Sequence, residues 1–320
     1  MADSDRQMTA DFAAELAGAA EQLGMPVLAI EKDYWVTRAL RGMAAAHPDG
    51  FIFKGGTSLT KGWRIGSRFS EDIDILVVQR PDPDGINGRE RILKAICKAG
   101  AGACGAEPER LLGGKGEHRT VSVGYDAHFA SDGTLLDHIR LELGYAGGPT
   151  PTEVQTVTPL VAEALASVGA DVSANPDLHP FGVTCLHPGR TLIEKIMILN
   201  SAINPSTTRD EIVASRVARH FYDVHELLGN ERVLALLGDR AVSDEIVQEH
   251  LIVSEAFGGS APRPEGGFSA AYAFNTSGAH RDELQGAYTE GIEALYYGPP
   301  DDLPTWEAIE ERVHATADLL

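Results

Sequence analysis

Residues 51–78 constrain the fold more than any other part of the chain, because they join an apolar run, a glycine pair and an alternating strand. Paired glycines allow a backbone to approach a bound group closely. A helix that starts after them would direct free N–H groups towards an anion. We therefore expect a phosphate site here, formed by Lys54, Gly55, Gly56, Thr57 and Ser58.

Residues 72–77 alternate in the manner of a half-buried strand. Ile73, Ile75 and Val77 fall on one face, so Asp72 and Asp74 project together from the other. Neighbouring carboxylates raise each other's pKa, and hard divalent cations such as Mg²⁺ prefer carboxylate oxygens. A lone glycine pair is usually a simple turn and a lone Asp-x-Asp a solvated strand edge, but their combination indicates an NTP site at which Asp72 and Asp74 hold two Mg²⁺ ions.

The connector between these two motifs is basic in an acidic chain. Residues 51–70 contain Lys54, Lys61, Arg64 and Arg68 and no acidic residue, whereas the whole chain has 47 acidic and 27 basic residues. This local reversal of charge suits a polyphosphate or the end of a nucleic acid. The net charge of −20 argues against broad nonspecific binding, so any nucleic acid must meet a local patch.

These motifs resemble the AbiEii/AbiGii family of toxin nucleotidyltransferases, a branch of the DNA polymerase β-like superfamily that includes the MenT-type toxins. The resemblance covers about residues 25–230 and follows the family's order of segments. Fifteen residues separate Gly56 from Asp72, which is longer than usual in the superfamily and leaves the conformation of the connector open. The segments that carry the resemblance are 31–36, 54–59, 68–74, 190–195 and 219–224.

The resemblance implies an α/β nucleotidyltransferase domain with a mixed sheet, joined to a mainly helical C-terminal domain. It also implies a toxin that transfers a nucleoside monophosphate from an NTP to RNA, expected at the 3′ end of tRNA, with a neighbouring antitoxin protein as partner. Within the chain, it implies that Lys195 contacts the triphosphate and that Asp223 positions Lys195 or the nucleotide.

Two other functions stay open. The acidic balance of the chain weakens the case for an RNA acceptor, and a nucleotidyltransferase that modifies a small molecule or a protein needs no extended basic face. A catalytically inactive nucleotide-binding or regulatory module is the third alternative. The intact Asp72, Asp74 and Lys195 argue against inactivity.

Hydrophobic periodicity gives a coarse outline of the first half of the chain. The Gly/Ala-rich residues 99–117 are expected to form a turn or flexible loop. Lys32 and Asp33 are interpreted as a solvated helix face, and the family resemblance implies the alternative that this helix borders the active site, with no chemical role assigned to either residue. The other predicted elements are helices over 9–24 (capped by Thr9), 31–46 and 89–98 and strands over 119–129 and 136–145.

Glu142 and Ser70 are two further candidates near the paired carboxylates. Glu142 lies on the strand 136–145, and two-metal nucleotidyl transfer generally uses a third carboxylate on a neighbouring strand. We expect Glu142 to bind metal, with an Arg140–Glu142 ion pair on a wet face as the alternative. Ser70 precedes the carboxylates and is expected to contact the nucleotide, with a local strand cap as the alternative.

The second half of the chain reads as mainly helical. Residues 150–180 are expected to carry one or two strands before a crossover, which places the domains at 1–175 and 176–320. The predicted helices are 190–200, 216–228, 288–297 and 303–320.

Two charged residues of the second half require an explanation. Lys195 lies among apolar residues of a helix, so its ammonium should meet an anion, either a phosphate or an acidic side chain. Asp223 follows Arg219 by four residues and His220 by three, so an ion pair within the helix would be a sufficient structural explanation.

The composition is that of an ordinary globular protein, with 43% hydrophobic and 23% charged residues. No apolar run approaches the length of a membrane span, and the first residues lack a basic region followed by an apolar core. A cytoplasmic location is therefore expected. Cys97, Cys104 and Cys185 are odd in number and have no C-x-x-C spacing, so neither a disulfide framework nor a zinc cluster is indicated.

Overall fold

A computed structural model describes residues 10–215, 217–255 and 258–320 of the chain, which forms two compact units. The first unit runs to Gly62 and resumes over Phe69–Cys185, and the second consists of Trp63–Arg68 and Leu186–Leu320. The domain division at residues 175 and 176 stays a prediction, because compactness alone does not show that either part folds independently.

Within the described residues, the first unit contains a mixed sheet of seven strands. The strands are β1 (Phe51–Lys54), β2 (Asp72–Val77), β3 (Glu109–Leu112), β4 (His118–Val123), β5 (Ile139–Gly144), β6 (Thr152–Val157) and β7 (Phe181–Leu186). Their order is β3-β4-β5-β2-β1-β7-β6. Strand β2 is parallel to β5 and antiparallel to β1, so the predicted α/β class with a mixed sheet is confirmed.

Five α-helices lie in the described residues of the first unit. They are α1 (Ala10–Leu23), α2 (Val27–Ala46), α3 (Gly55–Ser58), α4 (Ile86–Ala103) and α5 (Leu160–Ser167). Helix α2 packs against α4, and both contact β5. Alternation distinguishes the two faces of the sheet, because Ile73, Ile75 and Leu141 are fully buried while Asp72 and Asp74 are only partly buried.

The second unit is mainly helical in its described residues, as predicted. Its helices are α6 (Pro188–Ala202), α7 (Arg209–Ser215), α8 (Arg219–Leu228), α9 (Glu231–Gly238), α10 (Arg240–Glu255), α11 (Gly278–Glu293) and α12 (Trp306–Ala315). Helices α6 and α12 both pack against α8. Phe221 of α8 contacts the rings of Phe274 and Trp306, and all three side chains are buried in the core of this unit.

The loop predicted over residues 99–117 is wrong in two places. Helix α4 continues to Ala103, and the chain then forms β3 at the edge of the sheet. Small residues allow close helix packing here, because a Cβ on Gly100 would come within 3.1 Å of Met43 Cγ in α2. The glycine and alanine content therefore reflects a tight helix contact as well as a turn.

Other predicted boundaries shift by several residues, and two predicted positions, Thr9 and Arg216, lie outside the described residues. The strand over 119–129 ends at Val123, the strand over 136–145 begins at Ile139, the helix over 288–297 ends at Glu293, and the helix over 303–320 spans Trp306–Ala315. Residues 150–180 contain helix α5 in addition to strand β6.

In the part of the chain that the structure describes, no helix combines the length and apolar character needed to cross a membrane. Cys97, Cys104 and Cys185 are buried as free thiols. Burial raises the pKa of each thiol to about 12, so all three stay protonated at neutral pH.

Candidate active site

The three predicted metal-binding carboxylates lie on one face of two neighbouring strands. Strands β2 and β5 pair in register, with Asp72 opposite Arg140 and Asp74 opposite Glu142. Register partners share a face of the sheet, so Asp72, Asp74 and Glu142 project to the same side. Lys54 of β1 lies opposite Asp74 on the other flank and adds one cation to this row.

The electrostatic environment of Glu142 reflects this crowding. Its carboxylate pKa is raised, first by burial and then by the negative charges of Asp74 and Asp72, while Arg140 and Lys54 oppose the shift. Arg140 Nη1 is 3.9 Å from Glu142 Oε1, and Arg140 Nε is 3.9 Å from Asp72 Oδ1. The Arg140–Glu142 pair that the sequence left open is therefore present, but at a separation too long for a hydrogen bond.

The glycine turn meets this row of carboxylates directly. Gly55 has φ +75°, a left-handed conformation that glycine adopts most easily. A Cβ at this position would lie 1.9 Å from Asp74 Oδ2. The structure thus brings the turn and the Asp74 carboxylate into contact, and only a residue without a side chain fits between them.

The hydroxyl groups next to the turn are engaged with the backbone. Thr57 Oγ1 donates to the carbonyl oxygens of Ser70 (3.2 Å) and Asp72, and Ser58 Oγ donates to the carbonyl of Gly55 at 3.0 Å. Both side chains are buried. Thr57 therefore holds the turn against the start of β2, and Ser70 takes part through its carbonyl group.

The interpretation of Lys32 and Asp33 as a solvated helix face is wrong. Lys32 is 1% exposed, donates to the carbonyls of Leu136 and His138, and lies 3.5 Å from Glu71 Oε2. Burial lowers the pKa of Lys32, and the Glu71 carboxylate opposes that shift. Lys32 thus links the backbone at Leu136 and His138, just before β5, to Glu71, the residue that precedes Asp72.

Asp33 has a similar anchoring role. It is 4% exposed, forms an ion pair with Lys61 and accepts a 2.7 Å hydrogen bond from the N–H of Leu160. A signal for burial was available in the sequence, because these charges stand between Ile30 and Tyr34, both apolar, on a helix that turns about 100° per residue. Consecutive charges on such a helix cannot all share one solvated face.

The basic connector is only partly available to a ligand. Lys61 is buried against Asp33, and Arg68 is buried against Asp223. Lys54 is half-buried and Arg64 is exposed. Two of the four cations in residues 51–70 are therefore engaged in internal ion pairs, which the sequence pattern alone did not indicate.

In the second unit, Lys195 and Asp223 form the centre of a buried charge cluster. Lys195 Nζ is 2.7 Å from Asp223 Oδ2, while Arg68 contacts both oxygens through Nε (2.6 Å) and Nη2 (2.8 Å). Although burial alone would raise it, these two cations hold the pKa of Asp223 well below its usual range. The acidic partner that the sequence allowed for Lys195 is thus present.

His220 completes this cluster. Its Nδ1 lies 3.2 Å from Lys195 Nζ and 3.7 Å from Asp223 Oδ2. Burial and the charge of Lys195 lower the His220 pKa to about 4, so the ring is neutral at pH 7 and accepts from the ammonium. The cluster of Arg68, Lys195, Asp223 and His220 therefore contains two cations and one carboxylate.

The predicted site residues fall into two groups. The first unit holds Lys54, Gly55, Gly56, Thr57, Ser58, Ser70, Asp72, Asp74 and Glu142, and the second holds Lys195 and Asp223. Among the described residues, no three acidic, His or Cys side chains converge closely enough to form a ready-made metal site. The donor set of Asp72, Asp74 and Glu142 nevertheless fits Mg²⁺ chemically, because it consists entirely of carboxylate oxygens. Asp74 and Glu142 are register partners on neighbouring strands, and Asp72 lies two residues before Asp74 on the same face.

The mixed sheet carries carboxylates on two neighbouring strands, one of them against a glycine turn, and this arrangement is compatible with the nucleotidyltransferase class that the sequence motifs resemble. The comparison with protein families agrees. Residues 38–312 match the family model described as "Nucleotidyl transferase AbiEii toxin, Type IV TA system", so the chain belongs to this family. The family resemblance seen in the sequence is confirmed, and membership implies an NTP substrate and an antitoxin partner.

Comparisons of the chain with individual proteins add little to the family assignment. No curated protein matches the chain significantly. Among solved structures, the nucleotidyltransferase toxin MenT4 of Mycobacterium tuberculosis H37Rv aligns over 95% of this chain and 96% of its own, with 17% sequence identity and a TM-score of 0.42.

Proposed function

We propose that this chain transfers a nucleoside monophosphate from an NTP to a hydroxyl at the 3′ end of tRNA and releases pyrophosphate. The observation that carries the proposal is the position of Asp74, which stands in register with Glu142 and against Gly55. Carboxylates can hold the metal ion, and the backbone N–H groups of the adjacent glycine turn can bind the phosphates of the same nucleotide. Nucleotides added to tRNA in this way would block aminoacylation and stop growth, which suits a toxin with an antitoxin.

Asp72 and Asp74 are the proposed ligands of two Mg²⁺ ions, and Glu142 is the proposed third ligand on the side of the attacking hydroxyl. Bound Mg²⁺ would supply charge neutralisation at the phosphates and activation of that hydroxyl. The pKa of Glu142 is raised first by burial and then by the charges of Asp74 and Asp72, and this repulsion supports the assignment because a bound cation would relieve it.

The remaining candidates are proposed to bind the phosphates. Lys54 and Lys195 would neutralise charge that develops on the leaving pyrophosphate, where fixed cations lower the barrier most. Asp223 would orient Lys195 through their 2.7 Å contact. The hydroxyls of Thr57 and Ser58 already donate to carbonyl groups. The backbone of residues 55–58, and not these hydroxyls, would therefore contact the phosphates. Ser70 would face the nucleotide.

A small molecule or a protein is the second candidate acceptor, because such an acceptor needs no extended basic face. The net charge is −20, and Lys61 and Arg68 of the basic connector are engaged in buried ion pairs. An RNA acceptor requires exposed cations along its path. The intact carboxylates and Lys195 argue against a third candidate, an inactive nucleotide-binding module.

The test is a labelling experiment with purified protein, Mg²⁺ and each of four α-labelled NTPs, with and without total tRNA. Asp72→Asn serves as the site variant, and Asp171→Asn, which changes an exposed aspartate outside the helices and strands, serves as the matched control. Label in tRNA with wild type and the control but not with Asp72→Asn supports the proposal. Pyrophosphate release without labelled tRNA would instead identify a small-molecule or protein acceptor. If neither labelled tRNA nor pyrophosphate formed, the inactive nucleotide-binding module would be the remaining candidate.

A further inference from the structure

The connector between the glycine turn and the Asp72 strand is anchored in the second unit. Its residues Trp63–Arg68 belong to that unit, whereas the chain on both sides belongs to the first. Trp63 Nε1 donates to the Leu186 carbonyl at 2.9 Å. The Ser67 N–H donates to the Tyr222 hydroxyl at 2.7 Å. Within the connector, the segment Trp63–Arg68 is therefore held by a specific contact near each of its two ends.

The strongest of these contacts is the ion pair between Arg68 and Asp223. Both residues are 4% exposed, and the guanidinium donates to both carboxylate oxygens, at 2.6 and 2.8 Å. Such paired, charge-assisted hydrogen bonds fix orientation as well as distance, which a lysine ammonium cannot do. Both backbone groups of Ser67 are hydrogen-bonded as well: its N–H donates to the Tyr222 hydroxyl, and its carbonyl accepts from the Tyr297 N–H at 2.9 Å.

Arg68 stands only four residues before Asp72, and the chain between them is also held. Phe69 and Glu71 are buried, and Glu71 accepts a 2.9 Å hydrogen bond from the Leu136 N–H. Thr57 donates to the carbonyl of Asp72 itself. Only three residues separate Arg68 from Asp72, so loss of the Arg68–Asp223 contact would increase the backbone freedom of the residues that lead into β2.

We propose that Arg68 and Asp223 are positioning residues for nucleotidyl transfer, which set the place of the Asp72 carboxylate by fixing the connector. The inference rests on the proposed function, since it assigns the pair an effect on that reaction. It gives Asp223 a role that needs no contact with the nucleotide. It also explains how a connector of fifteen residues between Gly56 and Asp72 can be compatible with a defined site.

The first variant to test is Arg68→Lys, which keeps the charge and removes the two-point contact. We expect kcat to fall at least tenfold, the KM for NTP to stay within threefold, and the Mg²⁺ concentration for half-maximal rate to rise at least threefold. A displaced metal ligand affects the reacting complex and the metal more than the binding of the nucleotide.

Hydrogen exchange provides a readout that does not depend on activity. In Arg68→Lys we expect the amides of residues 67–72 to exchange at least tenfold faster than in wild type, because local opening exposes them. Tyr222→Phe, which removes only the hydroxyl bonded to the Ser67 N–H, should change both readouts in the same direction by about threefold. This milder variant keeps the test valid if Arg68→Lys does not fold.

Arg119→Lys is the matched control, since Arg119 is a buried arginine of β4 with its own ion-pair partner, Glu90. Its kcat should stay within twofold of wild type. Unchanged kcat and Mg²⁺ dependence in Arg68→Lys, unchanged exchange at residues 67–72, or an equal loss of kcat in Arg119→Lys would each overturn the positioning role. A wild type that transfers no nucleotide would instead overturn the proposed function, so the two failures are distinguishable.

Discussion

The Asp74 carboxylate occupies the space that a side chain at Gly55 would fill, because a Cβ there would stand 1.9 Å from Asp74 Oδ2. Gly55 also has φ +75°, and the left-handed region costs other residues about 1–2 kcal/mol. The glycine turn and the carboxylate strand therefore depend on one another. A change at either residue must move the other.

Gly55→Ala tests this dependence. We expect the new methyl group to displace Asp74 and to reduce nucleotidyl transfer at least 100-fold, which corresponds to about 2.7 kcal/mol of transition-state stabilisation. The α-labelled NTP assay measures the loss. Gly169→Ala is the control, because Gly169 has φ +76° but a Cβ added there would meet no atom within 4 Å. If Gly55→Ala kept as much activity as Gly169→Ala, the proposed clash with Asp74 would have no effect on the reaction.

Mg²⁺ should stabilise the folded protein through the carboxylate row. At a concentration tenfold above its Kd, a ligand that binds only the folded state adds about 1.4 kcal/mol. We expect thermal unfolding to show this gain in wild type on replacing EDTA by Mg²⁺, and to show little gain in Asp72→Asn. In EDTA the variant should be at least as stable as wild type, since one of the repelling charges is removed. An equal Mg²⁺ effect in both proteins would exclude Asp72 as a ligand.

The arrangement of the three carboxylates on neighbouring strands follows from short-range rules, whereas their role as metal ligands stays a prediction. Alternation along β2 placed Asp72 and Asp74 on one face, and the same alternation along β5 placed Glu142 on a strand that the structure pairs with β2 in register. The glycine pair marked the turn. The family and the α/β class followed from these motifs and their order, and both are confirmed.

The charges that support the site were not predicted, because their partners are distant in the chain. Arg68 and Asp223 are separated by 155 positions, and Lys32 and the Leu136 carbonyl by 104. The position of Lys32 and Asp33 among apolar residues could indicate burial, but a helical pattern does not show which distant residues pair with them. Long-range ion pairs therefore reversed the interpretation of Lys32 and Asp33 and removed two cations from the expected basic connector.

Lys32 is the clearest of these cases and can be tested by stability. Lys32→Met keeps the length of the side chain but removes the donor to Leu136 and His138, and it leaves Glu71 without its buried cation. We expect a loss of about 3 kcal/mol in the free energy of unfolding by urea. Lys94→Met is the control, because Lys94 is 61% exposed in an ion pair with Glu90 and should change stability by less than about 1 kcal/mol. Similar values for both variants would mean that Lys32 contributes no more than a surface charge.

His220 gives a prediction for pH dependence. Its pKa falls from 6.5 to about 4 on folding, because the ring is buried beside Lys195, although Asp223 opposes the shift. Between these two pH values the unfolded chain binds a proton at His220 that the folded chain does not, so stability decreases as the pH falls through this window. The pKa of Asp223 lies below this window, so its carboxylate does not titrate within it. We expect wild type to lose about 2 kcal/mol more than His220→Gln between pH 7 and pH 4.5 in urea unfolding. His314→Gln, which changes an exposed histidine of α12, should follow the wild-type profile, and a His220→Gln profile parallel to wild type would show that the ring does not titrate in this way.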